Sequence, residues 1–116
     1  MPLYRVYHPK DILDDPTKAS LAAEITEHHS SITGADKTNV TVLFIPFSAS
    51  DALWAGTPAP PFVRVVAVIR AGLPGQLLAS LYTIFGHALK GDALAQITLV
   101  EHRPEVYDFH QRRIYR

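Results

Sequence analysis

The chain has 116 residues, of which 47% are hydrophobic and 19% are charged, a composition typical of one folded domain rather than of a disordered chain. Eleven Lys and Arg residues balance eleven Asp and Glu residues, so no net charge favours nucleic acid as a partner. The absence of cysteine excludes disulfides, thiolate catalysis and thiolate metal ligands. No apolar run has the length of a membrane span, and no signal peptide is evident, so we expect a cytoplasmic protein.

The first half of the chain predicts a strand, a helix and a second strand. Residues 3–8 alternate aromatic and β-branched residues with others, as strands do. The helix is predicted to begin at Asp15, to have Pro16 at its first position, where the missing N–H is harmless, and to end at Gly34. Residues 39–47 are rich in Val, Ile and Phe and predict the second strand.

The second half repeats this order after a proline-rich segment. Residues 48–61 predict a loop without regular strand pairing, because prolines and a glycine interrupt it. Residues 62–70 are almost continuously apolar, which predicts a strand covered on both faces. A second helix ending at Gly91 and a last main strand over residues 97–102 follow.

We therefore expect a single α/β domain over residues 1–116, with a four-stranded main sheet and two helices on one face. The element order fits two parallel β-α-β units placed side by side, as in the tautomerase fold. It also fits a ferredoxin-like antiparallel sheet, and spacing alone does not choose between the two. Because one chain this small has nothing left to cover the second sheet face, we also expect self-association.

Pro2 is the residue that carries most chemical information. A methionine that precedes a small residue such as proline is normally removed, which leaves the nitrogen of Pro2 as a free secondary amine. An α-amino group has a pKa of roughly 8, and burial lowers this pKa because it disfavours the ammonium form. A base with a pKa near ambient pH suits proton abstraction next to a carbonyl. The alternative is that Pro2 only permits removal of Met1.

Several segments of the first 70 residues resemble the tautomerase superfamily, and most of all its cis-3-chloroacrylic acid dehalogenase-like group with fungal-type relatives. They are residues 2–7 (PLYRVY), 25–29 (ITEHH), 32–34 (ITG), 39–47 (NVTVLFIPF), 56–58 (GTP) and 61–65 (PFVRV). The resemblance implies the tandem β-α-β fold of 4-oxalocrotonate tautomerase and a homotrimer. It becomes loose after residue 70.

The resemblance also implies three catalytic residues, one each from the amino terminus, the first helix and the third main strand. Pro2 matches the catalytic proline, His29 matches the histidine that holds the substrate carboxylate or activates water, and Arg70 matches an arginine that binds a carboxylate or an enolate oxygen. On a helical wheel His28 lies closer to the centre of the apolar face and His29 lies at its edge. Because an edge position can face a pocket, His29 is the first candidate for this role and His28 is the reserve. Two partly buried helix histidines without a catalytic role are the alternative.

Three further residues are assigned to substrate binding. The second arginine of the family is replaced by Leu73, and Arg64, on the same side of the strand as Arg70, is a candidate to supply the missing charge. A structural ion pair is the other interpretation of Arg64. Tyr4 and Trp54 complete the set, with Trp54 expected either at a pocket rim or packed on the sheet.

Two departures from the dehalogenase pattern decide the predicted reaction. Leu99 stands at the position of the strand tyrosine, and the water-activating carboxylate falls near His110, with Asp108 and Glu105 as imperfect neighbours. Keto–enol tautomerisation needs only a base and a cation. We therefore predict a tautomerase acting on a small carboxylate substrate, with no cofactor and no metal. The alternatives are a dehalogenase or hydratase of unsaturated acids and a non-catalytic interaction protein of the same fold.

Overall fold

The structure, a computed structural model, describes residues 2–70, 72, 74–89, 91 and 93–102. Its strands and α-helices are β1 (Leu3–Pro9), α1 (Asp15–Thr33), β2 (Thr41–Phe47), β3 (Leu53–Trp54), β4 (Thr57–Pro58), β5 (Phe62–Arg70), α2 (Pro74–Leu89) and β6 (Leu94–His102). Two single-turn 3-10 helices, Lys37–Asn39 and Ala49–Asp51, flank β2. The strand predicted at residues 39–47 therefore begins two residues later in the structure. The last main strand, predicted at residues 97–102, begins three residues earlier.

The main sheet has the strand order β2-β1-β5-β6. β1 pairs with β2 in parallel, β5 pairs with β6 in parallel, and the central pair β1 and β5 is antiparallel. Each helix thus connects the two strands of a parallel pair, as a crossover must. This arrangement is the tandem β-α-β fold of tautomerases, and the ferredoxin-like alternative is wrong.

The ends of α1 follow the local signals in the sequence. At the start, the Asp14 side chain accepts a hydrogen bond of 2.9 Å from the backbone N–H of Thr17. At the end, Gly34 adopts φ 78°, which glycine reaches without steric cost, and its N–H donates to the Ser30 carbonyl at 2.8 Å. Neither α1 nor α2, the α-helices of the described chain, is long and apolar enough to cross a bilayer.

Both helices pack on the same face of the sheet. Every second residue of β1 and β5 points to this face and is buried, and α1 and α2 contribute their apolar stripes to the same core. The largest fully buried side chains include Tyr4, Phe85, Ile25, Leu77 and Leu81. Burial of each such side chain contributes about 1.5–3 kcal/mol, so this layer dominates the stability of the domain.

The opposite face of the sheet has no helix over it within the described chain. Val66 and Val68 of β5 are only partly buried there, while Leu43 of β2 and Val100 of β6 remain 49% and 40% exposed. A strand whose two faces are both apolar is normally covered on both sides. This face, which we call the outer sheet face, is therefore open in the single chain and apolar between Arg64 and Arg70, which project from the same side of β5.

The proline-rich segment contains a strand pair that the sequence analysis did not predict. Leu53 pairs with Pro58 and Trp54 with Thr57, around a two-residue turn in which Ala55 and Gly56 have φ values of 53° and 79°. Two positive φ angles are typical of the tight turn that matches strand twist. Proline is tolerated because an edge position of a two-stranded ribbon needs no N–H from it.

Candidate active site

A cavity of about 410 Å³ opens at the end of the sheet where β1 begins and β5 ends. Pro2, His29 and Arg70 line this cavity, although they come from three separate segments of the chain. The turn after α1 forms another wall, to which Thr33, Gly34, Ala35, Asp36 and Asn39 contribute, and Ile69, Gly72 and Leu77 complete the lining. Its volume suits a small organic molecule.

The register of the central strands places Pro2 beside the end of β5. Leu3 of β1 lies opposite Val68 of β5, so one further step along this antiparallel pair brings Pro2 next to Ile69. Pro2 is buried, and its carbonyl accepts a hydrogen bond of 3.0 Å from the N–H of Thr41. The backbone of Pro2 is thus held against the start of β2.

His29 lies on the buried stripe of α1, one turn after Ile25 and two turns after Leu21. The side chain is 2% exposed, and its Nδ1 lies 2.6 Å from the hydroxyl of Tyr4. Burial lowers the pKa of His29, and the positive charge of the chain's amino terminus lowers it further. The imidazole therefore stays neutral at neutral pH.

His28 points away from the cavity. It is exposed, and its Nδ1 lies 2.6 Å from the hydroxyl of Ser80 on α2. The helical wheel placed His28 nearer the centre of the apolar face, and this ordering is wrong. Leu21, Ile25 and His29 form the buried stripe of α1. His28 lies on a different side of this helix, the side that contacts α2.

Tyr4 lies behind His29 rather than at the cavity surface. Its side chain is fully buried, its ring stands edge-on to that of His29 with a centroid distance of 5.6 Å, and it is absent from the cavity lining. Burial raises the pKa of the Tyr4 hydroxyl well above its usual range, so the group keeps its proton. Tyr4 can therefore act on a substrate only through His29.

Arg64 and Trp54 line a second cavity of about 850 Å³ near the other end of the sheet, together with Tyr7, Phe47 and Phe62. The Arg64 Nε donates to Gln96 Oε1 at 3.0 Å, and its guanidinium lies 5.9 Å from the centre of the Phe62 ring. Trp54 is 49% exposed. Within one chain the structure brings neither residue to Pro2.

The sequence analysis missed the polar turn that follows α1. Asp36 caps the short 3-10 helix, since its Oδ1 accepts from the N–H and the hydroxyl of Thr38 at 3.0 and 2.9 Å. These bonds lower the pKa of Asp36 and keep it ionised. The predicted element order did contain an indication of this turn. In a parallel β-α-β unit the turn after the helix lies at the end of the sheet where the first strand begins, and Pro2 lies at that end.

Some predicted features lie outside the described residues, namely Met1 and the candidate water-activating residues Glu105, Asp108 and His110. Within the described part of the chain, no group of three His, Cys, Asp or Glu side chains is arranged to hold a metal ion. The side chains that line the described cavity supply the Arg70 guanidinium, the Asp36 carboxylate and the neutral His29 imidazole, and also the hydroxyl of Thr33 and the amide of Asn39.

Comparison with known families agrees with the fold. Residues 1–72, more than half of the chain, match the family described as "Putative oxalocrotonate tautomerase enzyme". The chain belongs to this tautomerase family. No curated protein matches the sequence.

Solved structures similar to this tautomerase-family chain include native fused 4-OT, with 26% identity, a TM-score of 0.69 and coverage of 85% of this chain and 87% of the other. The R7 fused 4-OT wild type asymmetric trimer has 25% identity and a TM-score of 0.65 over 85% of this chain and 86% of that one. The protein N1, of the cis-3-chloroacrylic acid dehalogenase family, has 24% identity and a TM-score of 0.68 over 85% and 75% and shows the fold alone.

Proposed function

We propose that this protein is a cofactor-independent tautomerase of small 2-oxo acids in which the amine of Pro2 is the general base. The observation that supports this proposal is the cavity in which Pro2, His29 and Arg70 meet. These residues supply a base, a neutral hydrogen-bonding imidazole and a cation, which is the set that proton transfer next to a carbonyl needs.

The substrate would enter with its carboxylate against Arg70. A guanidinium presents parallel N–H donors that match the two oxygens of a carboxylate. His29 would contact a second oxygen of the substrate from the α1 side of the cavity. The carbon next to the carbonyl would then face Pro2, which lies beside Ile69 on the adjoining strand.

The reaction moves one proton and shifts two electron pairs. In the direction of enol formation, the neutral Pro2 amine takes a proton from C3, the C2–C3 bond becomes double, and the carbonyl electron pair moves onto oxygen. The Pro2 ammonium then gives this proton to the oxygen, which becomes the enol hydroxyl, and the neutral amine is restored. Ketonisation is the reverse, with the Pro2 ammonium returning a proton to C3, so neither direction consumes a co-reactant.

The test is ketonisation of phenylpyruvate enol by the mature protein, after intact mass has shown the loss of Met1. A matched variant carries Gly-Ser between Met1 and Pro2, which converts the amine into an amide. A control carries the same dipeptide at the carboxyl terminus. We expect the mature and control proteins to turn over the enol and the extended protein to lose nearly all activity. Normal turnover by the extended protein would show that the base is another group.

We further infer that the protein is a homotrimer assembled through the outer sheet face. This face is open in the single chain and exposes apolar side chains such as Leu43 and Val100. A similar fused 4-OT structure is a trimer. In such an assembly Trp54 and Arg64 would bind substrate only if a neighbouring protomer brought its second cavity against the cavity of Pro2.

Asp36 favours a second candidate, hydration or hydrolytic dehalogenation of an unsaturated acid. An ionised carboxylate at the cavity wall can take a proton from water, whose oxygen adds to C3 while the Pro2 ammonium protonates C2. With cis-3-chloroacrylic acid, the resulting halohydrin would lose HCl. If this reaction is the function, chloride is released and Asp36→Asn abolishes the release, whereas the control Asp51→Asn, in the second cavity, does not. Ketonisation without chloride release would exclude it.

A further inference from the structure

Tyr4 and His29 form a buried pair directly behind the cavity. The Tyr4 hydroxyl lies 2.6 Å from His29 Nδ1, and the two rings meet edge-on at an interplanar angle of 90°. Tyr4 is held by its place in β1, and His29 by the buried stripe of α1. The imidazole therefore has one fixed orientation, with Nδ1 turned toward Tyr4.

The proton in this hydrogen bond can be assigned by counting donors and acceptors. A tyrosine hydroxyl has one proton to donate, and a neutral imidazole has one N–H and one acceptor nitrogen. Among the described residues, the only hydrogen-bond partner of the buried Tyr4 hydroxyl is His29. If His29 carried its proton on Nδ1, the Tyr4 proton would be buried without an acceptor, which is the costlier arrangement.

We propose that Tyr4 donates its hydroxyl proton to Nδ1 of His29 and thereby holds the neutral imidazole with its own proton on Nε2. Tyr4 is then a positioning residue. The tautomer follows from the buried contact itself, whereas its use on a substrate rests on the proposed function.

In this arrangement the nitrogen of His29 that is available to a ligand in the cavity is the one that carries the proton. Nδ1 is occupied by Tyr4, so Nε2 is the ring nitrogen that remains for a ligand, and His29 is part of the cavity lining. A neutral Nε2–H donates to a carboxylate or carbonyl oxygen and has no lone pair with which to accept a proton. His29 would thus bind a substrate oxygen and would not activate water. Pro2, which precedes β1, and His29 of α1 both line the cavity. Of these two residues, only Pro2 would then be able to accept a proton from a substrate.

The test is the ¹⁵N spectrum of the histidine rings in the full chain at neutral pH, with the His29 signals assigned by their loss in His29→Gln. We expect an acceptor-type Nδ1 and a protonated Nε2 in the unaltered protein. In Tyr4→Phe, which removes only the hydroxyl, the two tautomers should mix. If substrate is turned over, kcat/KM should fall roughly tenfold, as loss of one buried hydrogen bond implies. Tyr82→Phe, on α2 and outside both cavities, is the matched control.

Two results would overturn the assignment. One is a proton on Nδ1 of His29 in the unaltered protein, and the other is an unchanged tautomer in Tyr4→Phe. Neither result depends on turnover, so a protein that fails every tautomerase assay can still confirm the tautomer. Conversely, an active enzyme with the proton on Nδ1 would retain the proposed function and lose this inference.

Discussion

Arg64 and Arg70 project from the same face of β5, six residues apart, yet they line different cavities near opposite ends of the strand. The pairing with β1 shows this separation, because Arg64 lies opposite Tyr7 while Arg70 lies two residues beyond Val68, the partner of Leu3. Of these two arginines, Arg70 is the one that lines the same cavity as Pro2. Arg64 instead bonds to Gln96 on β6.

The first prediction compares Arg70→Gln with Arg64→Gln. A hydrogen bond to a charged group contributes about 1.5–3 kcal/mol, so Arg70→Gln should raise the KM for a 2-oxo acid about 10- to 100-fold. Arg64→Gln should change KM by no more than about twofold, as expected for a screened surface contact. Steady-state kinetics on both variants provide the measurement. An equal rise in KM for Arg64→Gln would place the carboxylate against Arg64 of a neighbouring protomer.

The second prediction concerns the adjacent histidines of α1. His29→Ala should lower kcat/KM about 10- to 100-fold, because the substrate loses a buried donor. His28→Ala should keep nearly full activity, since this side chain contacts Ser80 outside the cavity. Circular dichroism of both variants separates loss of function from loss of fold. Greater loss of activity in His28→Ala would contradict the site described above.

The element order and most boundaries could be predicted because they follow from local signals. Asp14 and Gly34 flank α1 and fix its length through contacts with its own backbone. The apolar run of β5 was recognisable for the same reason. The strand pairings could not be derived from spacing, because they depend on contacts between distant segments, and the resemblance to a family supplied them instead.

The candidate site could be predicted only in part, for a related reason. The alternation of β5 placed Arg64 and Arg70 on one face correctly, but it does not show that they lie near opposite ends of the strand. The helical wheel placed His28 closer than His29 to the centre of the apolar face, because it treats that face as one continuous surface. In the structure that face is divided between the sheet, which covers His29, and α2, which meets His28.

The third prediction tests assembly through the outer sheet face. Sedimentation equilibrium should give a molecular mass about three times that of the 12.8 kDa monomer. Val68→Asp places a charge in the centre of this face and should give monomers, because an unpaired buried charge costs several kcal/mol. Thr17→Asp, on α1 away from the sheet, is a control that should leave the trimer intact. A monomeric unaltered protein would exclude the homotrimer.

The fourth prediction follows from the lowered pKa of His29. Below its ordinary pKa of 6.5, the unfolded chain binds a proton at this residue and the folded protein does not, so the free energy of unfolding should decrease as the pH falls. The decrease should end once the pH is below the folded-state pKa. Denaturant titrations between about pH 7 and 5 measure it. His29→Gln should flatten this part of the profile and His28→Gln should not; equal profiles would show that the burial of His29 has no such effect.

The most direct measurement is the ¹⁵N titration of Pro2 in protein labelled only at its nine prolines. After removal of Met1, Pro2 is the one proline whose nitrogen is an amine, so its signal alone should move with pH. We predict a midpoint near or below the usual α-amino pKa of about 8, coinciding with the pH at which kcat/KM falls on acidification. If every proline nitrogen stays an amide and does not titrate while the protein still turns over 2-oxo acids, Pro2 is not the base.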